Sequence, residues 1–176
     1  YYQSGLELMA AGDNARAIVQ FRNVFNLQGD HYEARLALAE LLRKQGDRRG
    51  AYSQYLRLAE QYPDDLATRI ALAQMSFDGQ QWDEFDRHAD RAKELAPNDM
   101  QSRIFAIAQR YRTAVNEDDA TARADLVPQA EKLLAEAPDS AILMNLLVDG
   151  YINTGRIDQA PAILDKLVEL DPTNPI

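Results

Sequence analysis

The feature of this sequence that most constrains its fold is a pattern that returns every 34 residues. The pair Gly12-Asp13 recurs as Gly46-Asp47. The same interval separates other matched positions: Ala17 and Ala51, Phe21 and Tyr55, Val24 and Leu58, Leu38 and Leu72, Pro63 and Pro97, and Pro138 and Pro172. A repeat of this length is typical of stacked supersecondary units, each of which buries its apolar face only against its neighbours.

This register predicts a single repeat domain over residues 1–176. It divides the chain into five repeats, at 1–31, 32–65, 66–99, 100–140 and 141–174. The fourth repeat carries seven extra residues relative to its neighbours. We expect them to form a polar loop at 115–121, because that stretch includes a run of acidic and amide side chains.

Each repeat is predicted to form two antiparallel helices, called A and B here. In the second repeat, apolar residues at 36–42 follow a helical period, and a second apolar stripe follows at 51–59. Gly46 accepts the left-handed conformation that ends a helix, Asp47 can cap the next one, and Pro63 stops it. Asp64 and Asp65 can then cap the following helix. The same device returns at Pro97-Asn98-Asp99, Pro138-Asp139-Ser140 and Pro172-Thr173-Asn174.

Two further prolines affect where helix B begins in the last two repeats. Pro128 and Pro161 each follow an aspartate by three residues. Proline is tolerated in the first turn of a helix, where its missing N–H has no intrahelical partner. We therefore expect helix B to begin late in repeats four and five.

The composition excludes several classes of function. The chain has 28 acidic and 19 basic residues, a net charge of −9, and 46% hydrophobic residues, which indicates a folded protein. The acidic balance argues against nucleic-acid binding, which relies on clustered Lys and Arg. With no Cys, and with only His31 and His88 as histidines, we predict no metal site and no cofactor. The longest apolar stretches are too short for direct membrane insertion.

Catalytic signatures are also missing from the sequence. None of the phosphate-loop, dinucleotide, serine-hydrolase or zinc-protease motifs occurs. The pairs Asp64-Asp65 and Asp118-Asp119 could bind a cation, but helix capping and a solvated loop explain them better. We therefore predict that the chain is not an enzyme.

The repeat pattern resembles the tetratricopeptide repeat. Repeat two carries the family's small, aromatic, glycine and proline positions at Leu38, Ala39, Leu42, Gly46, Ala51, Tyr55, Leu58 and Pro63. Repeat three departs from the pattern because its glycine, Gly79, is shifted by one residue, and repeat four has no recognisable turn glycine. The resemblance implies an all-α, right-handed superhelical α-solenoid of antiparallel helix pairs.

The resemblance also implies a concave groove lined by one stripe of each helix A. Carried over by register, the groove residues are Tyr2, Leu6, Met9, Leu36, Glu40, Arg43, Ile70, Gln74, Phe77, Ile104, Ala108, Tyr111, Asn145, Asp149 and Ile152. Such a groove would accept a helix or an extended segment of another protein. The alternative is that several of these side chains pack between repeats. Gly150, inside a predicted helix A, fits either a close-approaching partner or close helix packing.

Self-association is the alternative function. The last predicted helix carries five large apolar residues, Ile163, Leu164, Leu167, Val168 and Leu170. Repeat arrays need polar caps at their ends, so an uncovered apolar helix would favour a homodimer or a further repeat. Residues 17–24 resemble helix B of arrays in bacterial envelope lipoproteins. That likeness favours the periplasm or cell envelope over the cytoplasm, and the compartment otherwise stays open.

Overall fold

The computed structural model describes residues 1–170, and over that range the chain consists of α-helices joined by short turns. The ten α-helices within this range are α1 (Tyr2–Ala10), α2 (Asn14–Leu27), α3 (Tyr32–Lys44), α4 (Arg48–Gln61), α5 (Leu66–Asp78), α6 (Trp82–Leu95), α7 (Met100–Asn116), α8 (Ala120–Glu136), α9 (Ala141–Asn153) and α10 (Ala160–Leu170). A 3₁₀ helix at Ile157–Gln159 precedes α10. Each predicted repeat holds one helix pair, which confirms the all-α helical-repeat fold. The turn predicted at Pro172-Thr173-Asn174 lies outside the described residues.

Contacts between Cα atoms divide the chain into two compact bodies, Tyr1–Leu95 and Ala96–Ile176. The first, the N-terminal body, holds α1 to α6 and therefore three repeats. The second, the C-terminal body, holds α7 to α10. Within each body, helices that follow one another along the chain pack together. The single repeat domain over 1–176 stays a prediction.

The turn between helix A and helix B has one geometry in all five repeats. Its central residue is left-handed, with φ between +54° and +81°, at Gly12, Gly46, Gln80, Asp118 and Gly155. The N–H of Gly46 donates to the carbonyl of Arg43, and the next N–H donates to the carbonyl of Leu42; the other four turns repeat this pattern. Repeats three and four therefore keep the turn without a glycine at its centre. Gly79 precedes that position, as the shifted sequence pattern predicts.

Side-chain caps begin most of the helices, as the sequence predicts. Asp47 accepts a hydrogen bond from the backbone N–H of Gly50 at 2.8 Å, and Asp65 accepts one from that of Thr68 at 3.3 Å. The other capping side chains are Asp13, His31, Asp99, Asp119 and Ser140. Asp64 does not cap a helix but pairs with Arg91. The prediction is thus confirmed for Asp65 and wrong for Asp64.

The seven extra residues of repeat four do not form a loop, which corrects the sequence prediction. Helix α7 and helix α8 each have 17 residues, whereas α5 has 13 and α6 has 14. The insertion therefore adds about one turn to each helix of the pair, and only residues 117–119 connect them. Asp118 takes the left-handed position of the turn and Asp119 caps α8, so the acidic run serves the turn itself.

The two late prolines behave differently from one another. Pro161 is the second residue of α10, so helix B does begin late in repeat five. Pro128 lies in the middle of α8, which begins at Ala120, so the prediction of a late start is wrong for repeat four. Pro128 and Ala124, whose carbonyl the missing N–H would have met, are both exposed. Water can therefore satisfy that carbonyl.

Helices A and B of a pair pack closely where a small residue faces a large one. A Cβ atom built on Gly5 would lie 2.6 Å from the ring of Phe21. The matching positions in the next repeat are Ala39 and Tyr55, both buried. These small residues allow the close approach that the sequence predicts.

Candidate protein-binding surface

Nine of the predicted groove residues lie on the three A helices of the N-terminal body. We call them the helix-A row: Tyr2, Leu6, Met9, Leu36, Glu40, Arg43, Ile70, Gln74 and Phe77. The row is partly open, since Glu40 and Arg43 are exposed and the other seven are half-buried. The adjacent positions on the same helices, such as Leu38, Ala39 and Leu72, are fully buried. The row therefore lies at the boundary between the core and the surface.

Neighbouring A helices are joined near their N-termini by side chains. The ring of Tyr2 on α1 lies 4.8 Å from the ring of His31, which caps α3. The hydroxyl of Tyr32 on α3 donates to Asp65, the cap of α5, at 3.0 Å. Burial, together with that hydrogen bond, raises the pKa of Tyr32 to about 12, so its hydroxyl stays protonated. These contacts place the three stripes of the row side by side.

The apolar members of the row are anchored from below. Tyr2, Leu6, Met9 and Leu36 pack against the buried core. The ring of Phe77 meets the rings of Trp82 and Phe85 edge-on, with centroids 5.6 and 5.3 Å away. Side chains held in this way lose little further freedom when a partner covers them.

Three predicted groove residues in repeat four are not available to a partner. Ile104, Ala108 and Tyr111 of α7 are buried, so the groove prediction is wrong for them. The reason is the inserted turn: the assigned positions assume a 13-residue helix A followed by a longer loop, whereas α7 has 17 residues. Because α7 packs against both α8 and α9, this stripe of α7 lies in the core of the C-terminal body.

The remaining three predicted residues, Asn145, Asp149 and Ile152, lie on α9. Asn145 and Ile152 are exposed, and Asp149 is exposed in part. Asp149 accepts a hydrogen bond from the hydroxyl of Tyr111 at 2.6 Å. Burial and this carboxylate together raise the pKa of Tyr111 above its usual range. The bond ties α7 to α9, so Asp149 has a structural partner within its own body. The role of the three residues in partner binding stays a prediction.

Gly150 has a structural explanation. It is buried, and a Cβ built on it would lie 2.6 Å from Cγ2 of Val127 on α8. Close helix packing thus accounts for this glycine, and no partner backbone is needed to explain it.

Three arginines at successive 34-residue intervals were missed by the sequence reasoning. Arg35, Arg69 and Arg103 occupy the same position of repeats two to four. Arg35 is buried and Arg69 half-buried, and both donate to backbone carbonyls. Arg103 forms a two-pronged ion pair with Glu136, with distances of 2.7 and 3.1 Å. The 34-residue spacing of these arginines could have revealed the set.

Two surveys of the described part of the chain complete the description of the site. None of its helices is both long and apolar enough to cross a membrane. Across residues 1–170, no group of three or more His, Asp or Glu side chains is arranged to hold a metal ion.

Comparison with known proteins agrees with this architecture. The sequence profile of the tetratricopeptide repeat family matches residues 8–75. No curated protein matches the chain.

Three solved structures illustrate the structural likeness. MamA is 16% identical, with 98% of this chain and 96% of that chain covered and a TM-score of 0.67. The tetratricopeptide protein TTC0263 of Thermus thermophilus is 19% identical, with coverage of 98% and 91% and a TM-score of 0.56. YrrB, described as a tetratricopeptide protein with an unusual peptide-binding site, is 16% identical, with coverage of 99% and 86% and a TM-score of 0.64. Likeness at these identities shows the shared fold. Together with the matched profile, it identifies this chain as a tetratricopeptide repeat protein.

Proposed function

We propose that the chain is a protein-interaction scaffold that binds a peptide segment or helix of another protein along the helix-A row. The observation that carries the proposal is the row itself. Tyr2, Leu36 and Ile70 stand 34 residues apart on successive A helices, and each keeps part of its side chain accessible above a buried core. A regular series of anchored apolar side chains suits an extended or helical ligand that contacts several repeats.

The row also contains charged groups that could orient such a ligand. Glu40 and Arg43 are exposed at the centre of the row, on α3. The carboxylate can accept, and the guanidinium can donate, hydrogen bonds to a bound backbone. The peptide-binding site named for YrrB supports a peptide ligand for this fold. The partner itself has to be found experimentally.

A direct test selects peptides from a random display library on the intact chain and measures their affinities by calorimetry. We expect Leu36→Glu and Glu40→Lys to weaken a selected peptide at least tenfold. Val19→Glu is the matched control, because Val19 is an exposed apolar residue on α2, outside the row. Circular dichroism melts establish that each variant is folded. A peptide that binds all three variants like the wild type would rule out the row as the binding surface.

Self-association remains a second candidate because of one observation. At the end of the described chain, Ile157, Val168 and Leu170 are 62%, 47% and 46% exposed. Light scattering over a range of concentrations tests this candidate. A mass near 19.8 kDa at every concentration would exclude it.

A further inference from the structure

A second surface, separate from the helix-A row, lies on the outward face of α4. Arg48, Tyr52 and Leu56 follow one another at four-residue steps, and Arg49 and Arg57 stand beside them. Residues spaced in this way share one face of a helix. The three arginines are exposed, whereas Tyr52 and Leu56 are half-buried.

This face forms one wall of a cleft. The first part of the cleft has a volume of about 580 Å³ and is closed on the other side by Met75 and Gln81. A second hollow of about 560 Å³ shares Tyr52, Leu56 and Gln81 with the first and extends to Trp82. We call the two together the α4 cleft. Its floor is apolar, and its α4 rim is basic.

The charge of the α4 rim is unusual for this chain. The first hollow is lined by three arginines and one carboxylate, that of Glu60, within a chain whose net charge is −9. Arg48 donates to the carbonyl of Met75 at 3.4 Å. Among the described residues, Arg49 and Arg57 have no ion-pair partner.

Carboxylates near the Trp82 end do not neutralise these two arginines. Glu84 pairs with Arg87 and accepts a hydrogen bond from the hydroxyl of Tyr52 at 3.3 Å. Asp83 lines only the hollow beside Trp82. Two cations without an ion-pair partner in the described chain therefore flank an apolar floor, and the complementary ligand carries two anions with an apolar group between them.

We propose that the α4 cleft binds an acidic segment of a partner protein, with an aliphatic or aromatic side chain between two carboxylates. The spacing defines the motif. Arg49 and Arg57 are eight helical residues apart, which is about 12 Å along the axis. An extended peptide covers that distance in about four residues, and its residues i, i+2 and i+4 project from the same side. The motif therefore has acidic residues at i and i+4 and an apolar residue at i+2.

The chain provides its own reporter for the test. Trp82 is the only tryptophan of the sequence, and it lies in the cleft with 38% of its surface exposed. The probe is the blocked peptide Asp-Thr-Leu-Thr-Asp, titrated at low ionic strength. We expect a saturable change in tryptophan fluorescence, matched by calorimetry, that weakens as salt is added.

Charge reversal identifies the surface that is responsible. The double variant R49E/R57E should lose at least tenfold in affinity, and Leu→Ala in the peptide should also weaken binding. The matched control is R22E, because Arg22 is an exposed arginine on α2, outside the cleft. The helix-A row variant E40K should bind the probe normally, so this test and the test of the proposed function fail independently.

Three outcomes would overturn the proposal. One is the absence of saturable binding to the wild type. The second is equal binding by the wild type and R49E/R57E. The third is equal binding of a Lys-Thr-Leu-Thr-Lys peptide, or displacement of the probe by inorganic phosphate with no dependence on the leucine, which would leave a site for simple anions only.

Discussion

Arg35 and Arg69, which lie 34 residues apart, make the same backbone contact in successive repeats. Nη2 of Arg35 donates to the carbonyl of Gly29 at 2.6 Å, and Nη2 of Arg69 donates to the carbonyl of Pro63 at 3.0 Å. In both cases the carbonyl lies six residues earlier, just beyond the preceding helix B. Each arginine therefore fastens the start of a helix A to the end of the repeat before it.

The other guanidinium nitrogen continues the parallel. Nη1 of Arg35 donates to Oε1 of Gln54 at 3.1 Å, and Nη1 of Arg69 lies 3.4 Å from Nδ1 of His88. Both partners lie 19 residues later, on the following helix B. One side chain thus links its own helix A to the end of the preceding repeat and to the helix B that follows.

Replacing Arg69 should weaken the junction between repeats two and three. Arg69→Met removes hydrogen bonds to the carbonyls of Ala59 and Pro63 while keeping most of the aliphatic stem. Because hydrogen bonds to charged groups contribute about 1.5–3 kcal/mol, we expect a loss of about 2 kcal/mol in the free energy of unfolding. Urea melts measure it. The exposed Arg22→Met serves as control, and an equal effect of both substitutions would contradict the role assigned to Arg69.

Adding a methyl group at Gly5 should overpack the first helix pair. The new Cβ would lie 2.6–2.8 Å from ring carbons of Phe21, which is buried. We expect Gly5→Ala to cost about 1–3 kcal/mol of stability, despite the better helix propensity of alanine. Gly29→Ala is the matched control, because nothing lies within 4 Å of its added Cβ. Relief of the loss by a second substitution, Phe21→Leu, would show that the contact is responsible.

The A–B turns offer a reciprocal exchange between repeats two and three. Gln80 holds φ at +54° in the position that Gly46 occupies at +81°. Left-handed backbone costs a side chain about 1–2 kcal/mol, so Gln80→Gly should stabilise the chain by about 1 kcal/mol. Gly46→Gln should destabilise it by a similar amount. Thermal melts of the two variants compare them directly, and a shift in the same direction for both would refute the shared geometry.

Acid should destabilise the chain through His88. Burial lowers the pKa of this histidine to about 4, with Arg87 and Arg69 adding to the effect and Glu84 opposing it. Between pH 6.5 and 4 the unfolded chain takes up a proton at His88 and the folded chain does not. The contribution of His88 to stability is therefore complete above pH 6.5 and falls as the pH drops, by about 2 kcal/mol between pH 7 and 5.

The variant His88→Leu isolates this contribution. Its unfolding free energy should change less between about pH 7 and pH 5 than that of the wild type, because the buried site no longer titrates. Urea melts at several pH values provide the comparison. An identical pH dependence in both proteins would exclude a buried neutral His88.

Much of the fold was predictable because its determinants are local. Asp47 and Pro63 act through the backbone of their own turn, so their spacing defines the helix pair without reference to the rest of the chain. The insertion in repeat four was misassigned for the same reason. The run of polar residues at 116–119 indicates a loop locally, whereas the pairing of α7 with α8 extends the helices on both sides of it.

The candidate site was less predictable because it depends on packing between elements. Tyr111 was assigned to the groove by register alone, and its burial follows from the greater length of α7. The α4 cleft was missed because Arg49 and Arg57 look like ordinary surface residues in the sequence. They acquire meaning only beside Met75 and Trp82, which come from the next repeat.

The paired lengthening of α7 and α8 has a geometric consequence. Four residues added to one helix and three to the other advance the two by about 6 and 4.5 Å, so the tips of the hairpin stay nearly level. About seven residues shared between two antiparallel helices amount to roughly one turn in each, so both faces keep their orientation. Hairpins of this design can therefore grow one turn at a time, gaining height while the connecting turn is reused unaltered.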